Sequence, residues 1–531
     1  MKSIYLLLPL FFFAVFTSYS QVTYTFLEHN NVSAYISNMG TYFWNNESSP
    51  VIRYEVPKGS GHNMIFTSEF WFAVKDAADS IHMTQGGFEN VKDIFNGPIS
   101  IPGSYDTPEY QDIWEQKIWQ ICQADIDNFK LIWQCNNGLI TVGCDDIPPL
   151  SQEVLDNIYS WPAHGDITKG QSYYLAPFYD YNSDGSYNPD DGDYPIIKGC
   201  CATYMIKNDA AFPHNYTSTA PIGMELHLMF YQYLTADYLK DITFVDLLAI
   251  NKSGTDYPEI AHSIYLDADV GFYGDDFYGC DSTNNVIYFY NADNDDQEFN
   301  PFLGYGINPP AFGVVSLEQD LTASAVVEIG TSAIDEKWNV MNGLQFFGTP
   351  WLNQSGQPTN FLYSGNPNDV SSWNELNAMN PPGDVNGIAS VKKNNFNNGD
   401  TLKLSYAFLY ARDGTHIENV QSIIDMAAAV KVFYDNESDV ACNGATWNVS
   451  EQDAFQINIM PNPSYGKFQV NTFHYQIDEV NVKNASGQLI KRMIPICTDQ
   501  MELDLTGEQS GIYFLELKSE SRIVVKKIVV Q

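Results

Sequence analysis

The sequence predicts a mainly β protein: a β-rich, many-stranded body with a few short helices, followed by one small C-terminal β-sandwich. Three observations carry that prediction. Apolar residues recur with period two in short runs along most of the chain, as in Ile52-Arg53-Tyr54-Glu55-Val56 and residues 401–412, and period two marks a strand with one buried face. Gly, Asn and Pro close these runs at short intervals, supplying the turns that an antiparallel fold needs. Helical spacing is confined to a few places.

Residues 1–20 have the form of a signal peptide: Lys2, an apolar run from Ile4 to Phe16, and a small-x-small site at Ser18-Tyr19-Ser20. The run is too short to span a bilayer, no later stretch is long and apolar enough to do so, and position 21 is Gln rather than a Cys for lipid attachment. Residues 21–160 form an N-terminal β-rich region. In it Phe70-Trp71-Phe72-Ala73-Val74 reads as a buried strand, 117–122 alternates, and 123–133 suits a short helix. A second short helix over 151–160 is capped by Ser151 and halted at Trp161-Pro162. Residues 161–435 form a central β-rich region that ends on a helix. There Thr415 and Glu418 make a capping box, and Ile417, Val420, Ile424 and Ala428 recur at helical spacing. Polar residues 436–452 read as a linker. The last segment, 453–531, opens with the turn Met460-Pro461-Asn462-Pro463-Ser464-Tyr465-Gly466. Phe468 with Val470, Val480 with Val482, and Leu503 with Leu505 then each share one strand face, Ser486-Gly487 and Ser510-Gly511 mark turns, and a run over 523–530 closes the sandwich.

Aspartate and glutamate total 65 against 26 lysines and arginines, a formal net charge of −39. Nucleic acid is excluded as a partner by this balance, because phosphate recognition requires clustered cations. The balance also disfavours an anionic membrane surface, whereas it suits solubility and divalent cations. Eight cysteines include no C-x-x-C pair, which argues against structural zinc. In an oxidising compartment some pair. Cys135 and Cys144 flank Asn136-Asn137-Gly138 and suit a bridged hairpin, and Cys200 or Cys201 with Cys280 is a second candidate bridge.

The strongest chemical motif is Asp180-Tyr181-Asn182-Ser183-Asp184-Gly185-Ser186, followed by Asp191. Calcium takes six to eight hard oxygens from a tightly curled loop, with ligands at positions one, three, five, seven and twelve and a glycine at six. Asp180, Asn182, Asp184, Ser186 and Asp191 hold the ligand positions and Gly185 the bend. Prolines on both sides deny it the paired helices of an EF-hand, and the last ligand is Asp rather than Glu. The expected role is structural, against the alternative of a metal-free Asp/Asn/Gly turn. A weaker second cation site is expected at Asp267, Asp269, Asp275 and Asp276, where two aspartates share a strand face and two follow in the next loop. The same acids could serve as the carboxylate pair of a glycosidase. Glu225 and His227 also share a strand face and suit acid–base work, although a hydrogen-bonded strand histidine is the simpler reading. The abundant aromatics read mainly as core; exposed ones would stack on sugar faces. No G-x-S-x-G, H-E-x-x-H or cysteine-protease signature is present.

Pro461-Asn462-Pro463 with Gly466, Val482 with Gly487-Gln488-Leu489-Ile490, Gly511-Ile512-Tyr513, and the closing Lys526-Lys527-Ile528-Val529-Val530 together resemble the type A C-terminal sorting domain of the type IX secretion system. That resemblance implies an address. Such domains carry cargo across the outer membrane of a Gram-negative bacterium, engage the translocon and its surface sortase, and are cut off there. Most of the chain before it, through Tyr54 to Gly61, Trp161-Pro162-Ala163-His164-Gly165-Asp166, the loop ending Gly192-Asp193-Tyr194-Pro195, Pro221-Ile222-Gly223 and Asp267-Ala268-Asp269-Val270-Gly271, is similar to a group of large secreted proteins of no established activity. No catalytic residue is carried over from them. The expectation is thus secreted or surface-displayed cargo with a binding or structural role, stabilised by calcium, for a glycan or protein ligand. The rival is an extracellular polysaccharide hydrolase using paired carboxylates.

Overall fold

The computed structural model describes residues 22–44, 53–87, 91–115, 117–299, 303–328, 331–436, 442, 458–460, 464–471, 479–484, 489–493, 500–509, 511–519 and 522–530. The expected signal peptide, most of the linker, and the turns at 461–463 and 486–487 lie outside these residues. The chain divides into two compact units, residues 1–443 and 444–531.

The first unit is built on two antiparallel sheets. The larger, of nine strands, runs in the order Asp276–Asp281, Val286–Asn291, Ala311–Ser316, Thr401–Ala411, Thr243–Asn251, Met224–Gln232 and Cys201–Asn208, and ends on Phe95–Asn96 with Trp119–Cys122 beside it. The second, of six, places Ala323–Val326, Val385–Phe396, Tyr257–Ala268, Ile65–Lys75 and Thr41–Tyr42 in order, with Ile81–Thr84 on the edge of Ile65–Lys75. Strands from residues 21–160 and from 161–435 share both sheets, so the two regions form one body. One apolar core takes Phe70, Phe72, Ile260, Ile264 and Leu266 from the second sheet and Leu226, Leu228, Phe230, Val245, Leu247 and Phe408 from the first. Alternation along each strand puts these residues on the facing sides.

The other face of the large sheet is covered as well. The His416–Asp435 helix lays Val420, Ile423, Ile424, Ala427 and Val430 on Tyr288, Val315, Ala407 and Leu409. The expected capping box starts it: Thr415 accepts from the Glu418 amide, and the Glu418 carboxylate accepts from the Thr415 amide at 2.8 Å. Gly313 lies beneath this helix, where a Cβ would stand 2.6 Å from the Ile423 methyl carbon. Burial on both faces explains why Cys201–Asn208 and Met224–Gln232 are buried at every residue, a pattern that period two alone does not predict.

The expected helix at 151–160 is Gln152–Tyr159, with the Ser151 side chain accepting from the Val154 amide. The one at 123–133 extends over Gln123–Asn136. Cys135 and Cys144 are bonded as expected, but across the end of that helix rather than across a hairpin. The pairing of Cys200 or Cys201 with Cys280 is not formed. Cys201 bonds Cys122, its direct neighbour across two strands, Cys200 bonds Cys442, and Cys280 is a buried free thiol. Cys201 opens its strand and Cys200 stands just before it, and the two vicinal cysteines take different partners.

The second unit pairs Asn458–Met460, Lys467–Asn471 and Gln500–Asp504 in one sheet and Leu489–Met493, Glu479–Asn484, Gly511–Ser519 and Arg522–Val530 in another. Phe468, Val470, Val480, Val482, Leu503, Leu505, Leu515 and Leu517 fill the space between them. This is the sandwich predicted from period two.

Candidate cation and ligand sites

Strand pairing assembles an acidic cluster at one end of the second sheet. The Tyr257–Ala268 strand pairs with Val385–Phe396 so that Asp267 faces Asn386 and Ala268 faces Val385. One more step in this register sets Asp269 against Asp384. Oxygens of Asp267, Asp269 and Asp384 all lie within 4.8 Å of one another, the span of two oxygens on opposite sides of a cation bonded at about 2.4 Å. Asp269 is 5 % exposed, and its carboxylate accepts no hydrogen bond among the described residues. Burial and the Asp269 and Asp384 charges push Asp267 up to about 8. Burial and Asp384 push Asp269 up to about 7, and burial raises Asp384. The Arg53 guanidinium opposes these shifts at Asp267 and Asp269. Three carboxylates and one guanidinium leave a formal charge of two minus.

Asn386 completes the group. Turned one way, its amide nitrogen donates to Asp267 Oδ1 at 2.9 Å and to the Tyr265 hydroxyl at 3.0 Å. Turned the other way, its oxygen joins the carboxylates and accepts from that hydroxyl at 3.0 Å. Asp275 and Asp276, expected in the same site, turn elsewhere. Asp276 is fully buried and accepts from the Val270 amide at 3.0 Å, while Asp275 closes the short turn Tyr273–Asp275 and lies near Asn291, Asp293 and Asp295. Asp296 is buried and takes the Tyr305 amide at 2.5 Å.

The loop at 180–191 is held by its own backbone. Asp180 accepts from the amides of Gly185 at 2.7 Å and Asp184 at 3.2 Å, Asn182 from Asp184 at 3.0 Å, and Asp184 from Ser186 at 2.8 Å. Ser183 and Gly185 take the positive φ that this curl requires, 61° and 80°. Asp191 accepts instead from the Asn188 side chain at 2.7 Å, and Asp180, Asp184 and Asp191 are not among the described groups of three acids that converge within 4.8 Å. The keystone is Asp193, fully buried, whose two oxygens take the amides of Tyr181 and Asn188, each at 2.8 Å, and so tie the two ends of the loop together.

Glu225 and His227 meet as period two requires, 2.9 Å apart. Glu225 also takes the Ile99 amide at 2.7 Å and the Lys252 ammonium at 2.5 Å, and these partners hold it below the usual carboxylate range against burial. The other nitrogen of His227 meets the Tyr204 hydroxyl at 2.7 Å. Every polar atom of the pair is engaged, as in a structural ion network. A group formed by His29, Cys122 and Cys201 has both thiols in a disulfide, which removes them as ligands.

Two of the cavities among the described residues belong to the first unit. One, of about 470 Å³, is lined by Tyr204, His227, Met229, Asp246, Leu248 and Tyr434 among others. The other, of about 430 Å³, lies at the end of the Gln152–Tyr159 helix and is lined by Tyr110, Trp114, Tyr159, Trp161, Asp166 and Gln171 among others. Sequence reasoning missed Arg53, Asp193, Tyr204, Asp384 and Asn386. Only the unusual density of Asp and Asn around 384–386 hinted at the last two.

No helix among the described residues is long and apolar enough to cross a membrane. No curated protein matches the sequence. Among solved structures, a polysaccharide lyase aligns over 64 % of this chain and 37 % of its own, at 6 % identity and a TM-score of 0.20. The chain thus spans little more than a third of that protein, and the likeness is too low to carry fold or function. The family model described as a secretion system C-terminal sorting domain matches residues 458–531, which lie within the second unit. Residues 458–531 are therefore a type IX secretion C-terminal sorting domain, and the protein that carries it is cargo of that system, secreted or held at the cell surface.

Proposed function

We propose that the unit preceding the sorting domain is an extracellular binding or structural module braced by calcium. The observation that carries this reading is the acidic cluster of Asp267, Asp269 and Asp384. Its most buried carboxylate has no hydrogen-bond donor, and its formal charge matches a divalent cation. Such a group is costly to bury without a counter-charge. The all-oxygen donor set, with Asn386 able to present its oxygen, fits the hard cation calcium. Calcium would join the end of one strand to the start of its neighbour. In this reading calcium at the 180–191 loop plays a lesser part, because that loop's carboxylates are already occupied by its own amides. The sorting domain would engage the translocon and its surface sortase.

The hydrolase reading is less well supported. A glycosidase sets its two carboxylates across a sugar-binding cleft, whereas Asp267, Asp269 and Asp384 line neither of the two cavities described above. Thermal unfolding of the full chain with a chelator, and then with calcium restored, tests the proposal. A higher melting temperature with calcium that Asp269→Asn abolishes is expected; the same curve in both conditions removes the cation.

A further inference from the structure

We propose that the 430 Å³ cavity at the end of the Gln152–Tyr159 helix binds a neutral saccharide. This rests on the reading of the passenger as a binding module and is independent of the cation.

A sugar presents an apolar C–H face and a rim of hydroxyls, so its site needs flat apolar surface flanked by donors and acceptors. The cavity wall holds Tyr110, Trp114 and Trp161, each at most 7 % exposed. Tyr110 and Trp161 spend their polar atoms away from a ligand. The Tyr110 hydroxyl donates to the Pro98 carbonyl at 2.9 Å, and Trp161 Nε1 donates to the Pro177 carbonyl at 3.0 Å. Ring carbon is what remains for the cavity.

Tyr159 stands at the lip, 51 % exposed. An exposed tyrosine is ordinarily free to swing, but here the hydroxyl donates to Asp190 Oδ1 at 2.7 Å. The same bond raises the phenol to about 12, so the proton that anchors the ring stays in place at any physiological pH. Asp190 belongs to the acidic loop, so that loop fixes an aromatic platform beside the cavity. A platform ordered before binding loses less entropy when a ligand stacks on it.

The polar side is also prepared. Gln171 is 8 % exposed and lines the cavity. Its oxygen accepts from the Asp166 amide at 2.8 Å, while its amide nitrogen has no partner among the described residues. A nearly buried donor left open in a cavity wall calls for an acceptor such as a sugar hydroxyl. Glu109 and Asp166 add exposed carboxylates that accept from hydroxyls, and Lys169 adds a donor. Two acids against one base, on a chain of net charge −39, disfavour a polyanionic glycan and select a neutral one. The volume lies within the usual range for small-ligand sites, about 300–1,000 Å³.

The test is titration of the full chain with cellohexaose, xylohexaose, mannohexaose and maltohexaose, followed by tryptophan fluorescence and calorimetry, with a hexagalacturonate as the anionic control. At least one neutral hexaose is expected to saturate with a Kd below about 1 mM. Tyr159→Ala, at an exposed position that leaves the fold intact, is expected to weaken it tenfold or more. Tyr159→Phe, which keeps the ring and loses the anchor, falls between, and Gln171→Glu, which keeps the oxygen that accepts from the Asp166 amide and removes the open donor, weakens binding as well. Absence of binding by every neutral hexaose at about 10 mM overturns the proposal, and so does binding that Tyr159→Ala leaves unchanged. Unchanged binding in Tyr159→Ala, or binding of the anionic control alone, overturns this site while leaving the binding-module reading in place. A calcium-dependent melting shift without any saccharide binding sinks the site and spares the cation.

Discussion

Asp269→Asn is the sharpest perturbation of the acidic cluster. The Asp269 carboxyl is raised from its ordinary 3.8 to about 7 by burial and by the Asp384 charge. The folded group keeps its proton where the unfolded one has lost it, so in chelator the protein loses stability as pH rises from about 4 to about 7. At about 1.4 kcal/mol per pH unit, keeping this group ionised in the folded chain at pH 8 costs about 4 kcal/mol. Asp267 and Asp384 share part of that repulsion, so relief from one substitution is smaller, about 2 kcal/mol. The unfolding entropy of about 2.1 cal/mol/K per residue, over about 420 residues, gives about 0.9 kcal/mol per degree. The asparagine variant in chelator at pH 8 should therefore melt about 2 °C above the wild type. Calcium at about a hundred times its Kd adds about 2.7 kcal/mol to the wild type, about 3 °C, and nothing to the variant. Scanning calorimetry with EDTA and with calcium measures all four values. A variant that melts lower in EDTA and still gains from calcium would refute the reasoning.

Other consequences follow from single features of the fold. Ile423→Ala empties the contact between the long helix and the large sheet, where Ile423 is fully buried, and should cost about 2–5 kcal/mol by urea denaturation. Gly313→Val drives a side chain into that same methyl group and should destabilise by about 1–3 kcal/mol, with partial rescue by Ile423→Ala in a double-mutant cycle. Lys207 is buried, donates to the Asn38 carbonyl at 2.6 Å and Asn96 Oδ1 at 2.9 Å, and is lowered from 10.5 to about 7, chiefly by burial. The unfolded chain then holds this proton between about pH 7 and 10.5 while the folded chain does not, so stability rises with pH across that window, and Lys207→Met should flatten the slope by up to about 1.4 kcal/mol per pH unit. Replacing Cys200 and Cys442 by serine opens a link spanning 242 residues; chain entropy gives a loss of roughly 5 kcal/mol, read as a lower denaturation midpoint.

What the residues reveal in order is local structure. Ser151 and Thr415 announce their helices because a cap acts within three or four residues, and the sandwich at the end is legible because Phe468, Val470, Leu503 and Leu505 alternate within short strands. The candidate sites are legible only in part. Asp267 and Asp269 stand out as neighbours on one strand, but Asp384 joins them through a strand register that no local pattern encodes. Asp275 and Asp276 look equivalent in sequence and differ in fact, because the chain bends between them and the strand end. In the loop at 180–191 the spacing is visible, yet the residue that closes it, Asp193, lies outside the motif. The pairing of Cys200 with Cys442 joins residues 242 apart in sequence, and spacing alone carries no such information.

Deletion of residues 458–531 in a Gram-negative host that possesses the type IX system, with the protein located by fractionation, tests the export assignment most directly. The truncated chain should accumulate folded in the periplasm while the full chain reaches the cell surface or the medium. Arrival of the truncated chain outside the cell, at the level of the full one, would contradict it.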